Sequence, residues 1–221
     1  MRHRSAVLAA LSLTTVGALT LSACAGDDSA SHEEDRKAGA DTGSGAPASP
    51  PRPSTSSSAE TGRPEIELPS DLRLTFEDGT TGDAVKDAVL ADSAERMRAV
   101  DAAIAGTDPA GEAVGFYNRG KALDAAVSWV AQFEKANATV TGEVRYFDRK
   151  VVLEDEDSAV LTFCADESKG FSKDKATGEV AKTPVTRNSY VLYNTRLDKT
   201  SEGIWQTSQI LSTRGAGQCQ T

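Results

Sequence analysis

Histidine is the first residue type to look for in a chain that could do acid–base or nucleophilic work, and this 221-residue chain has two. His3 and His32 both lie in the first 40 residues, so nothing beyond residue 64 can build a Ser-His-Asp or Cys-His arrangement. No phosphate-binding glycine loop, dinucleotide-binding glycine fingerprint or HExxH helix occurs. What remains is carboxylate and tyrosine chemistry. A carboxylate buried in an apolar cavity holds its proton to higher pH and can move it near neutrality. Asp148 and Asp166 fall at strand ends, with Tyr146, Tyr190 and Tyr193 on strands. The plainer readings are stronger. Asp148, beside Arg149 and Lys150, reads as a solvated turn residue, and Asp166 reads as a carboxylate that accepts from backbone amides of the segment it begins. Tyr190 and Tyr193 are three apart, so on a strand they face opposite sides and cannot share a pocket. Trp205 and Phe163 read as core.

The three cysteines divide by context. Cys24 ends a stretch that begins with Met1-Arg2-His3-Arg4 and continues "SAVLAALSLTTVGALTL", the flanks and length of an export signal rather than of a membrane span. Leu21-Ser22-Ala23-Cys24 resembles the bacterial lipobox. That resemblance implies diacylglycerol on the Cys24 sulfur, cleavage after residue 23, and a protein held at the outer face of the cytoplasmic membrane by acyl chains. Cys164 and Cys219 are then an even pair in an oxidising compartment, and a bridge between them is the expected state, with two separate buried thiols as the alternative. Neither has a histidine near it in sequence, which speaks against a catalytic thiol and against zinc.

Residues 24–64 carry Ser, Gly, Ala, Pro and charge without a large apolar side chain, so they read as a disordered tether. Such a segment spans on the order of 35 Å. Its "HEEDRK" reads as a solvated charge run rather than a metal motif. The net charge of −9 becomes more negative once Arg2 and Arg4 leave with the signal, and acidic and basic residues are interspersed. Nucleic acid and anionic lipid surfaces are poor partners for such a chain.

Residues 65–221 are one domain's length. An edge or polyproline-like segment around Pro64 and Pro69 precedes a helix that Asp83 or Thr81 caps and Gly106 ends. Asp108-Pro109 reads as the start of a second helix, broken by glycines from a third, "KALDAAVSWVAQFEKAN". There Leu123, Ala126, Val127 and Val130 make one stripe beside Trp129 and Phe133. Beyond Asn137 the period changes to two. Strands are expected in "ATVTGEVRYFD", "RKVVLED", "SAVLTFCAD", "VTRNSYVLYNTRLD" and "GIWQTSQILSTRG", with residues 167–183 a long polar loop, either the best-placed partner-facing element or simply a tolerated loop. Helices followed by a run of strands make an α+β fold, helices covering one face of a curved antiparallel sheet.

That order resembles the NTF2-like fold, a cone of helices and bent sheet. More narrowly, the chain is similar to actinobacterial lipoproteins of unassigned activity that share a "tGxVxYxDxxV" strand, a "CxDxS" strand end, "GxW" on the last strand and a terminal "GxxxC". The matching residues are Thr141, Gly142, Val144, Tyr146, Asp148 and Val151, then Cys164, Asp166 and Ser168, then Gly203, Trp205, Gly215 and Cys219. The resemblance implies the cone and a Cys164–Cys219 bridge; the residues themselves give no cofactor motif and no metal-ligand set. Three functions are compatible with it: a non-catalytic binding or interaction module of the cell envelope, which leads; a carrier of a small apolar ligand; and an isomerase- or dehydratase-like enzyme. NTF2-like enzymes place an Asp or Glu base, often with Tyr, in the cone, which would single out Asp166, Asp148 or Tyr190.

Overall fold

The computed structural model describes residues 62–220. The export signal, Cys24 and the tether up to residue 61 lie outside the described residues. Among the described residues no helix is long and apolar enough to cross a membrane.

Strand β1 (Leu72–Phe76) precedes helix α1 (Ala84–Ala105). The Asp83 carboxylate accepts from the Val85 and Lys86 amides at 2.9 and 3.2 Å, satisfying donors that a helix start leaves unpaired. Gly106 ends α1 at φ 85°, the left-handed conformation that closes a helix most cheaply when no Cβ is present. Helix α2 (Glu112–Tyr117) begins three residues later than Pro109, because Gly111 takes the cap position. Asp108 still serves it, its two carboxylate oxygens accepting from the Glu112 and Ala113 amides. Helix α3 (Gly120–Lys135) buries Ala122 and Ala126, while Val127 is exposed rather than part of a buried stripe.

The sheet is longer-stranded than the sequence pattern suggests. β2 (Ala138–Leu153) is one strand where two are expected, and β3 (Ser158–Asp174) runs on through half of the expected loop. Residues 167–174 pair with the start of β2, so the polar segment is a half-buried two-stranded arm rather than a loop. The arm turns at residues 174–178 into a two-residue strand, β4 (Val180–Ala181), that pairs back on β3. β5 (Tyr190–Lys199) and β6 (Trp205–Arg214) complete the order β1-β2-β3-β5-β6. β1 is parallel to β2 and the other pairs are antiparallel. The result is the α+β class expected, helices packed on a curved sheet.

Two bulges shape that curve. Between Phe147 and Lys150 β2 holds one residue more than β3, and Asp148 takes it at φ 51°. Between Glu143 and Arg145 the extra residue is on β3. At the base of the arm the chains approach too closely for a side chain: a Cβ on Gly142, at φ 94°, would sit 2.1 Å from the Lys169 carbonyl oxygen.

Strand alternation sorts the side chains onto two faces. Tyr146, Leu161, Phe163, Ala165, Val191, Leu197 and Trp205 point inward and pack with Val89, Leu90 and Met97 of α1. Four rings cross this face from strand to strand: Phe76 stacks on Tyr146 at 4.8 Å, Tyr146 meets Phe163 edge-on, and Phe163 stacks on Tyr193 at 4.9 Å. The opposite face carries Phe147, Cys164 and Tyr190, with Ala216 and Cys219 folded over them. The Cys164–Cys219 disulfide closes that cluster.

Candidate functional site

The cone is open. Its cavity holds about 290 Å³, at the lower edge of the range of about 300–1,000 Å³ for small-molecule sites. Leu72, Trp129, Phe133, Val140, Val144 and Phe171 give it apolar walls. Asp101, Tyr146, Glu167, Tyr193 and Arg214 bring polar atoms to it from α1, β2, β3, β5 and β6.

Asp101 is the residue that sequence reasoning missed. It lies four residues after Met97 and three before Ile104, both buried, so helical geometry turns it toward the sheet, where it is half-buried at the cavity wall. Among the described residues its carboxyl has no hydrogen-bond partner. Desolvation, and then the negative charge of Glu167, lift its pKa from the ordinary carboxylate range to about 7, against the opposing pull of the Arg96 charge. Tyr146 is buried and Tyr193 half-buried, and desolvation pushes both hydroxyls above their usual pKa and keeps them as O–H donors at ordinary pH. Neither hydroxyl has a hydrogen-bond partner among the described residues.

The charges around this end are held in place. Arg214 donates to Glu167 and to the Asn188 carbonyl oxygen, both at 2.7 Å. Arg96 is buried, and burial lowers its pKa. Its Nε donates to Asn118 Oδ1 at 2.8 Å, and Asn118 is itself anchored by donating to the Val114 carbonyl oxygen. Among the described residues no carboxylate lies within ion-pair distance of Arg96. Earlier on α1 the buried Asp92 accepts from the Trp205 amide at 2.8 Å and pairs with Arg63, which brings the start of the described chain onto the helix.

The residues nominated from sequence separate cleanly. Tyr146 and Tyr193 line the cavity; Asp148, Asp166 and Tyr190 do not. Asp148 is exposed and pairs with Lys150 at 2.7 Å, which fits the solvated-turn reading. Asp166 is two residues from Cys164 and shares its face, opposite the cone. It accepts from the Ser168 amide at 2.9 Å, as the plainer reading expects, and lies 3.7 Å from Arg145. Tyr190 packs in the disulfide cluster. Among the described residues no cluster of His, Cys, Asp and Glu could hold a metal ion.

No protein-family model and no curated protein matches the chain. Several solved structures are similar in part. The intermembrane space region of the chloroplast protein ARC6 aligns at a TM-score of 0.41 and 12% identity, over 61% of this chain and 99% of that one. A ketosteroid isomerase-like protein from Erwinia carotovora atroseptica aligns at 0.34 and 20% identity, over 59% of this chain and 92% of that one. Likeness at this level carries no argument about activity.

Proposed function

We propose that this protein is a membrane-anchored, extracytoplasmic binding module that takes a small, largely apolar molecule into its cone. The observation that carries the reading is the unfilled 290 Å³ cavity, apolar on its walls and polar at one end. At about 30 Å³ for each non-hydrogen atom, taking liquid water as the guide, it has room for on the order of ten. The anchor is diacylglycerol on Cys24, and the location is the outer face of the cytoplasmic membrane within the cell-wall zone. The tether through residue 61 stands the domain off that surface.

Uptake is tested by calorimetric titration of the full-length chain carrying Cys24→Ser with acetophenone, a neutral probe of nine non-hydrogen atoms. Val144→Trp fills the cavity and should weaken binding more than about tenfold. Absence of heat with the unfilled protein at every pH sinks the reading.

Asp101 by itself favours a second reading, proton transfer at a carbon beside a bound carbonyl. A carboxyl titrating near 7 suits a general base at neutral pH. This reading requires deuterium exchange into the acetophenone methyl group in D2O, lost in Asp101→Asn. Binding without exchange leaves the module non-catalytic.

A further inference from the structure

The polar end of the cavity is a donor site only while one proton stays in place. Tyr146 and Tyr193 each offer an O–H, and neither is used by another described residue. The Asp101 carboxyl offers a third donor when protonated and none when ionised. The remaining charged groups facing it are Arg96 from α1, Glu167 from β3 and Arg214 from β6. Glu167 is already paired by Arg214, and its negative charge acts on Asp101. The residues lining the cavity from β1 and α3, Leu72, Trp129 and Phe133, add no charge.

Resting on the binding reading above, we propose that the ligand is an apolar molecule ending in an uncharged oxygen acceptor, and that capture and release are governed by the Asp101 proton. With Asp101 neutral, the ligand oxygen meets donors from the helix and from two strands, and the apolar body lies against Val140, Val144 and Phe171. Loss of the proton turns the helix side of the site into an acceptor. It then repels the ligand oxygen and competes with it for the tyrosine donors. Asp101 titrates close to 7, so the switch works across the pH range of an exposed envelope protein. The domain beyond residue 61 has no histidine to obscure it.

The test uses the full-length chain carrying Cys24→Ser, titrated calorimetrically with acetophenone and with ethylbenzene, which lacks the oxygen. For one group titrating near 7, affinity for acetophenone should fall about tenfold between pH 6 and pH 8. Ethylbenzene should bind more weakly than acetophenone at pH 6 and follow pH less. In Asp101→Asn, which cannot ionise, the pH dependence should vanish. Tyr193→Phe should weaken acetophenone and leave ethylbenzene unchanged. Acetophenone binding that is equal at pH 6 and pH 8 overturns the proposal while leaving the binding reading intact, and so does ethylbenzene binding as tightly as acetophenone. Absence of binding by either probe at both pH values overturns both.

Discussion

Replacing Asp101 by Asn should make the domain more stable, and only above mildly acidic pH. In the unfolded chain Asp101 titrates at the ordinary 3.8, and in the folded protein at about 7. Between those values the folded state binds the extra proton, so stability falls as pH rises through the window. The difference, at about 1.4 kcal/mol per pH unit, amounts to about 4 kcal/mol of destabilisation above pH 7, a large share of a domain's net stability. Other groups do not mask it. Asp71, Asp87, Asp155, Asp174 and Glu202 are held below their usual range by hydrogen bonds, so their contribution is lost only on acidification below the ordinary carboxylate range. No histidine lies in the domain. Urea unfolding of the parent chain and Asp101→Asn at pH 4.5 and 8 is the assay. The parent should lose stability between the two, and the variant should not. Parallel pH profiles for the two proteins would refute the placement of an unpaired Asp101 carboxyl in the cone.

Gly142→Ala should be severely destabilising, by more than about 2 kcal/mol, because the added Cβ meets the Lys169 carbonyl oxygen at 2.1 Å on a left-handed backbone; an unchanged urea midpoint would contradict the β2–β3 register. Thiol titration of the unfolded, unreduced domain should find neither Cys164 nor Cys219 free, and Cys219→Ser should cost about 4 kcal/mol for a 55-residue loop; full stability of the variant would remove the bridge's role. Cys24→Ser should abolish palmitate labelling and membrane partition; a labelled, membrane-bound variant would end the lipoprotein proposal.

Local chemistry is legible in the sequence where local rules apply. Asp83 caps α1 and Gly106 ends it, both signalled by residue type at the right place. Strand parity also holds: Tyr190 and Tyr193 do face opposite sides. The same parity ties Asp166 to the face of Cys164, so the alternation of β3 alone is enough to take Asp166 out of the cone. Arg149 reads as part of the solvated turn, yet the bulge at Asp148 turns it inward, where it donates to the Leu90 carbonyl oxygen. A one-residue register change has no signature in composition. Residues 167–174 are hidden for a related reason, since this stretch carries one large apolar side chain, Phe171, and pairs by backbone hydrogen bonds without an apolar alternation to announce a strand. Asp101 is legible in principle, as an acid on the buried stripe of α1. Its significance depends on Tyr146 and Tyr193, 45 and 92 residues further along the chain, being brought to the same cavity.

Carbon-13 NMR titration of the Asp101 carboxyl, with the cone empty and then saturated with acetophenone, tests the central claim most directly. A midpoint near 7 is expected in the free protein, with an upward move of about two pH units or more on saturation, because the ligand holds the proton in place. A midpoint in the ordinary carboxylate range near 4, or one that acetophenone leaves unmoved, would contradict the claim.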